Sequence, residues 1–522
     1  MHRGIFTVFV ASALVASSLW ASPAPAQAVV PYDRISGPDR FATSVAVSKL
    51  AFPNGTDTVY LASGMAYADA LSAGPAAVAA AGTMLLTGPN VLPAVVATEL
   101  RRLAPKRIVI VGGTGAVSNT VAQAARAYAP AVERQSGNDR YETSRAVVRA
   151  AFTSAPTVYV ATGADYPDAL AAGPAAGSNG APILLVPGRS AQLDDATRAL
   201  LSELGTTNAV LVGGTGAVSA SLESSLVGLL GSGSTKRLAG ADRIATAIAI
   251  NTATFGQAPA GDAYVTTGFN YPDALSVGVL AGMRNRPLYL SIPYCVTPPL
   301  QTQLTRPTVS RVRLVGGVGA VRTLVGKLVA CMSLTDPGSA WVLVNKRTPL
   351  RPATFTPSLA NPQVSSAWGD PLQKDAAWYL RTMFAAASAA GAGSMTLQSG
   401  YRSYATQSSL FSRDVAQNGR EAAERLTARP GYSEHQTGFA ADISANGCME
   451  CIGGTSQGRW LLANAWRYGF ILRYENGQTG KTGYSHEPWH FRYVGTVLAR
   501  DYHEGGFHTL EDYFGRPAAP TY

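Results

Sequence analysis

Histidine is rare in this chain, six among 522 residues, and two of the six stand in short blocks with acidic residues. His435 and Asp442 lie within Ser433-Glu434-His435-Gln436-Thr437-Gly438-Phe439-Ala440-Ala441-Asp442, and Glu487 and His490 within Glu487-Pro488-Trp489-His490. Two imidazoles and one carboxylate are a ligand set for catalytic zinc, which takes three protein ligands and keeps a position open for water. A second carboxylate is the base such chemistry needs. Taken singly, each residue has a plainer reading: a loop histidine bonded to backbone, an aspartate in a turn, a glutamate on the surface. Their joint occurrence in two compact blocks favours ligation. His486, His503 and His508 have no such framing and read as structural or surface residues.

The elements around these blocks must aim them at one point. Phe439 to Ile443 reads as a short strand after a turn at Gly438. Alternation then places Ala440 and Asp442 on one face, the small alanine leaving room beside a metal. Pro488 argues against a helix interior, so Glu487 and His490 are expected on a turn. Upstream, Met395 to Ser399 reads as a strand entering the turn Gly400-Tyr401-Arg402, which puts Arg402 just beyond a strand end. Ala376 to Ala390, Gln407 to Gly419 and Arg420 to Leu426 read as helices, the first with Trp378, Leu380, Met383 and Phe384 toward a core. Residues 334–365 are broken by prolines and read as a linker, with a strand-like run from Trp341 to Lys346.

The chain before that linker is repetitive. Arg34-Ile35-Ser36-Gly37-Pro38-Asp39-Arg40 returns as Arg134-Gln135-Ser136-Gly137-Asn138-Asp139-Arg140 and as Arg237-Leu238-Ala239-Gly240-Ala241-Asp242-Arg243. Asp-Ala-Leu recurs at Asp69, Asp168 and Asp273, and a β-branched run closes each unit on Gly112-Gly113, Gly213-Gly214 or Gly316-Gly317. Units at 31–132, 133–235 and 236–333 follow, each the size of a small domain. Continuously apolar short runs alternating with helix-like stretches predict buried parallel strands, so each unit reads as a three-layer α/β domain. The glycine pairs lack dinucleotide-binding spacing and read as tight turns. Asp39, Asp139 and Asp242 read as helix caps. Arg40, Arg140 and Arg243 either meet an acidic ligand or pair with the units' own aspartates.

Composition sets the surroundings. A hydrophobic content of 47% and a charged content of 14% describe folded material, and the length demands several domains. Residues 1–28 read as a secretory signal peptide: Arg3, an apolar Ile5 to Leu19, and Ala26-Gln27-Ala28 for cleavage. Export brings an oxidising environment, and Cys295 with Cys331 and Cys448 with Cys451 are expected to form disulfides. Net charge is +10; residues 31–333 hold 24 basic against 17 acidic side chains, residues 334–522 hold 17 against 15. A basic exported region suggests an acidic polymer partner at a cell surface, in preference to nucleic acid. No apolar run after the N-terminus is long enough for a membrane span.

With these residues in view, two resemblances appear. The Gly-x-Asp-Arg, Asp-Ala-Leu and Val-Gly-Gly motifs of residues 31–333 resemble the cell wall binding type 2 repeats of Gram-positive surface proteins. That resemblance implies three domains about a pseudo-threefold axis, held non-covalently on an anionic secondary cell wall polymer. Residues 366–515 resemble the zinc D-alanyl-D-alanine carboxypeptidases of the VanY type through Ser433-x-His435-x-x-Gly438-x-Ala440-x-Asp442, Glu487-x-x-His490 and Ser399-Gly400-Tyr401-Arg402. This second resemblance implies an α+β fold around an antiparallel sheet. It makes His435, Asp442 and His490 the ligands of one Zn2+, Glu487 the catalytic base and Arg402 the electrophilic stabiliser. Ser433, Tyr401 and Trp489 are expected in the substrate pocket. The expected function is removal of terminal D-Ala from peptidoglycan stem peptides at the surface of a Gram-positive-type bacterium. L,D-carboxypeptidase or endopeptidase action, and a non-catalytic wall adhesin or scaffold, remain alternatives.

Overall fold

A computed structural model describes residues 30–522, so the expected signal peptide lies outside the described residues. Among the described residues no helix is long and apolar enough to cross a membrane. The first region contains twelve strands: β1 (Tyr32–Ile35), β2 (Thr58–Ser63), β3 (Thr83–Thr87), β4 (Arg107–Val111), β5 (Ala131–Gln135), β6 (Thr157–Thr162), β7 (Ile183–Val186), β8 (Asn208–Val212), β9 (Thr235–Leu238), β10 (Gly261–Thr267), β11 (Leu288–Ser291) and β12 (Val309–Val315). They form three parallel sheets of four strands, ordered β3-β2-β4-β5, β7-β6-β8-β9 and β1-β12-β10-β11. Strands β2, β3 and β7 are buried along their whole length, which accounts for their continuously apolar sequence.

The sheets do not coincide with the sequence units. The opening strand of the second unit, β5, completes the sheet of the first, and β9 completes that of the second. β1 closes the ring on β12, with Tyr32 opposite Val312 and Ile35 opposite Val315. The helices Ala68–Ala79, Pro167–Ser178 and Pro272–Met283 pack against one another inside the ring. Their alanine- and glycine-rich faces permit close approach. Tyr67, Tyr166 and Tyr271, one before each helix, meet with ring centroids 5.2–5.7 Å apart.

The recurring motifs prove to be one constellation. Gly112, Gly213 and Gly316 all have positive φ, and a Cβ on each would sit 2.3 Å from Oδ2 of Asp69, Asp168 or Asp273. Only glycine satisfies both constraints. Asp39, Asp139 and Asp242 cap their helices, accepting from backbone N–H groups two or three residues on. Arg40, Arg140 and Arg243 donate to the carbonyls of Gly64, Gly163 and Gly268. Of the two readings of these arginines, direct pairing with the units' own aspartates is not seen, because the guanidinium reaches across the following strand-to-helix turn instead. No direct ion pair of these arginines occurs among the described residues.

The second region is built on the antiparallel sheet β15-β16-β18-β17, preceded by the two-residue pair β13 (Leu359–Ala360) and β14 (Leu372–Gln373). Its strands are β15 (Thr396–Ser399), β16 (Ala440–Ser444), β17 (Phe470–Leu472) and β18 (His490–Tyr493). The helix Lys374–Ala389 covers one face through Ala376, Leu380, Met383 and Phe384. Trp378, expected in that core, is 52% exposed because it falls on the opposite face.

Residues 334–365 are not a free tether. Trp341, Val342, Leu343 and Val344 are buried, and Nη2 of Arg492 donates to the carbonyls of Ala340 and Val342 at 3.1 and 2.9 Å. The Trp341–Lys346 run joins no sheet; its backbone bonds to the carbonyls of Ser339 and Leu334, to the Arg492 side chain and within a turn at Asn345–Thr348. The same segment joins the two regions. Tyr294 of the third unit packs on Trp341, Tyr513 and Phe514, and Arg322 donates to the carbonyl of Tyr513 at 2.8 Å while lying over the Phe507 ring. The positions corresponding to Arg322 are Ser118 and Ser219, which merely cap helices. Cys295 is bonded to Cys331 beside this contact, and Cys448 to Cys451 in the second region.

Candidate metal and peptidase site

His435, Asp442 and His490 come from three elements and converge. His435 sits in a single-turn 3-10 helix, Glu434–Thr437, that ends on Gly438 in the left-handed conformation. Asp442 is central in β16 and stands opposite His490, the first residue of β18. Glu487 lies on the preceding turn; the expectation of a turn for both residues holds for Glu487, while His490 has entered the strand. One ligand atom from each of His435, Asp442 and His490 falls within 4.8 Å of the others.

The rings are oriented from behind. Nδ1 of His435 lies 2.7 Å from the carbonyl of Gly400, which fixes its proton there and turns Nε2 toward Asp442 Oδ2 at 3.2 Å. Nε2 of His490 faces Glu434 Oε2 at 3.3 Å, which leaves Nδ1 pointing at Asp442 Oδ1, 3.1 Å away, and at Glu487 Oε2, 3.5 Å away. Such outer partners set tautomer and aim in metal sites.

Charge at the site calls for a cation. Oδ1 of Asp442 is buried and accepts no hydrogen bond, although the His490 ring is close. Burial acts to raise the Asp442 carboxyl, but His435 and His490 hold it below the usual carboxylate range. Burial lowers the His435 imidazole, and it also disfavours charge on His490. Hydrogen bonds to Asp442 and Glu434 overcome it there and push His490 up to about 10. Burial pushes Glu487 up to about 8 against the pull of His490. A divalent cation would displace the second His490 proton, and two ring nitrogens with an unsatisfied carboxylate oxygen then form a nitrogen and oxygen ligand set for it.

Arg402 lies past the end of β15, with Nη1 donating to Gln407 Oε1 and Nη2 to Ser399 Oγ, both at 3.0 Å, and Nη2 3.8 Å from Asp442. Ser433 and Trp489 line the same cleft. Tyr401 does not: its hydroxyl faces Thr356 at 3.4 Å, since the turn points it away. His486 bonds the carbonyl of Tyr474, His508 pairs with Glu475, and His503 stacks on Trp466, so none of the three joins the site.

Four residues behind the site were not singled out in the sequence. Glu434 accepts from Arg473 Nε at 3.0 Å and from Arg492 Nη1 at 2.9 Å, and Arg473 forms a two-pronged pair with Glu511. All four side chains are buried. Their signal was present: Arg473 and Arg492 are charges inside strand-like runs, Ile471-Leu472-Arg473-Tyr474 and His490-Phe491-Arg492-Tyr493, where a lone buried cation demands a partner.

A two-histidine, one-aspartate site beside three α/β repeats defines the class. The D-alanyl-D-alanine carboxypeptidase family VanY matches residues 369–496, and cell wall binding domain 2 matches residues 34–122, 134–223 and 237–325. The chain belongs to the VanY family and carries three cell wall binding domain 2 repeats. It is 40% identical over 200 residues to the putative carboxypeptidase YodJ of Bacillus subtilis (strain 168), covering 36% of this chain and 72% of that protein. A D-alanyl-D-alanine carboxypeptidase of Enterococcus faecalis (strain ATCC 700802 / V583) is 38% identical over 174 residues, 31% of this chain and 62% of that one. Cwp6 from Clostridium difficile shares the fold at a TM-score of 0.54 and 20% identity, over 76% of this chain and 64% of that chain. The match thus spans less than two thirds of the last two proteins. The chain is a peptidoglycan-acting carboxypeptidase with cell wall binding repeats.

Proposed function

We propose that this is an exported, wall-anchored zinc enzyme that removes the terminal D-Ala from D-Ala-D-Ala ends of peptidoglycan stem peptides. The observation that carries the reading is the gathering of three potential ligand atoms within 4.8 Å of one another, with the Glu487 carboxylate 3.5 Å from one of them. Nε2 of His435, the Asp442 carboxylate and Nδ1 of His490 would hold Zn2+. Zinc, when bound there, supplies Lewis-acid polarisation of the scissile carbonyl and of the attacking water. Glu487 takes the proton of that water and passes it to the leaving nitrogen. Arg402 keeps its charge and offers hydrogen bonds to the oxygen on which negative charge develops. Gln407 and Ser399 hold its fork in place.

The repeats supply the address. Their basic excess favours an anionic secondary wall polymer, and a cavity of about 930 Å3 opens at the strand ends between the second and third units, with Arg189 and Arg243 in its wall. The signal-like residues 1–28 fit export.

The test is incubation of the full chain with purified pentapeptide and tetrapeptide muropeptides, read by mass. Expected is loss of one D-Ala from the pentapeptide only, abolished by a chelator, restored by zinc, and reduced about 10^3-fold by Glu487→Gln, within the usual range for a general acid–base group. Trimming of the tetrapeptide, cleavage within a cross-link, or full activity in Glu487→Gln would overturn the reading. For the anchor, the chain should sediment with cell walls, less so as salt rises; undiminished binding to walls stripped of acidic polymer would exclude that partner.

A further inference from the structure

The cleft does not end at the metal ligands. One arm, of about 180 Å3, is walled by Thr427, Tyr474, Tyr484 and Glu487, all buried. A second arm, of about 420 Å3, is walled by Trp368, Gln398, Thr406 and Arg413. Arg402, Leu410, Asp442 and Met449 belong to both, so the two arms are one cleft with Asp442 and Arg402 at its waist, and His435 and His490 line the smaller arm alone. Glu487 lines the smaller arm and not the wider one.

That asymmetry gives the substrate a direction, on the reading of the site proposed above. In hydrolysis the carbonyl carbon gains a bond to the water oxygen and loses its bond to nitrogen, and Glu487 carries the water proton to that nitrogen. The leaving residue must therefore lie on the Glu487 side. The smaller arm is below the roughly 300–1,000 Å3 of sites that hold drug-sized ligands, and suits one small residue. The acyl portion extends into the wider arm. There Trp368 is 78% exposed, the most exposed large hydrophobic side chain among the described residues. Arg413 is exposed and has no carboxylate partner among the described residues, and Asp442 at the waist is the one acid in that arm's wall.

We propose that the wider arm is an acyl-side subsite for a carboxylate-bearing peptide stem. Arg413 pairs with the carboxylate, and Trp368 covers the neighbouring peptide. The site then selects a D-Ala end by what precedes it as well as by the end itself.

Three probes test this on the full, zinc-loaded chain: N-acetyl-L-Ala-γ-D-Glu-L-Lys-D-Ala-D-Ala, the same peptide with the glutamate carboxylate converted to amide, and N-acetyl-D-Ala-D-Ala. Amidation should lower kcat/KM for D-Ala release about fivefold, the scale of an exposed ion pair. Arg413→Gln should bring the acid peptide down to the amide's level and erase the distinction. Trp368→Ala should lower the ratio of the pentapeptide's kcat/KM to the dipeptide's about tenfold, as loss of an aromatic contact does. An Arg413→Gln enzyme that still prefers the acid, or a Trp368→Ala enzyme with an unchanged ratio, would overturn the subsite. Calorimetric binding of the two pentapeptides to Glu487→Gln repeats the acid–amide comparison without cleavage. Preference in binding without D-Ala release would sink the proposed reaction and keep the subsite; release without preference would do the reverse.

Discussion

Both regions take carboxylates out of water, half-buried in the repeats and fully buried in the peptidase, and they treat them in opposite ways. In the repeats, Asp69, Asp168 and Asp273 sit against a glycine turn, and burial raises all three; the hydroxyls of Thr143 and Thr246 oppose it for Asp69 and Asp168, and Arg40 opposes it for Asp273. In the peptidase, burial acts the same way on Glu434, yet Arg492 and Arg473 hold it well below the usual carboxylate range. The depth of burial does not explain the contrast; the facing groups do. A carboxylate that closes a joint between repeats can be neutral without loss of shape. One that must hold a proton on the far side of His490 has to stay charged, so the fold surrounds it with guanidinium groups. A buried ion network of this kind earns little net stability over apolar packing, but breaking it leaves a charge unpaired.

The sharpest way to break that comparison is Glu434→Gln against Asp168→Asn. Glu434→Gln leaves Arg492 without its carboxylate and Arg473 with Glu511 alone, and should cost about 3–5 kcal/mol in chemical denaturation of the peptidase. Zinc affinity, titrated into metal-free protein, should fall about 10- to 100-fold as the His490 ring loses its outer partner. Asp168→Asn should cost less than about 1.5 kcal/mol, the scale of one ordinary hydrogen bond. Equal costs would show that the two carboxylates do the same job after all.

A smaller effect is expected where the regions meet. Arg322→Ser restores the residue type found at Ser118 and Ser219, and removes the hydrogen bond to the Tyr513 carbonyl, a second one to Val318 within the third unit, and a stacked guanidinium. The loss should be about 1–3 kcal/mol of coupling, seen as separation of a single calorimetric transition into two. A single transition at an unchanged temperature would mean that the aromatic contacts of Tyr294 alone join the regions.

How much of this was legible follows the same divide. Repetition made the first region readable, since a motif seen three times identifies its own caps and turns. The exchange of β1, β5 and β9 between units was not, because which strand completes which sheet is settled by packing and not by local pattern. In the second region the rarity of histidine exposed His435 and His490, and the strand pattern placed Asp442 beside them. Arg473, Arg492 and Glu511 escaped notice because their partners lie 38 to 58 residues away in sequence. Residues 334–365 read as a linker whose Trp341–Lys346 run could pack on the next domain, and Arg492 and the aromatic contacts do draw that run into the fold.

The smallest effect tests the repeat carboxylates alone. Each of Asp69, Asp168 and Asp273 binds its proton more tightly in the folded state than an unfolded aspartate does, at about 3.9. Between that value and the raised folded one, the native state holds more protons than the unfolded state, so stability falls as pH rises through the window. The stabilising contribution is fully present below about 3.9 and is lost once the folded groups have ionised. The repeats should therefore grow easier to unfold as pH climbs from about 4 toward neutrality, against the usual direction for carboxylates paired with cations. Asp168→Asn removes one of the three contributions and should flatten that slope. Unfolding of the repeats followed by hydrogen exchange across this pH range would show it, and a slope unaltered by Asp168→Asn would place the pH response elsewhere than at the glycine-turn aspartates.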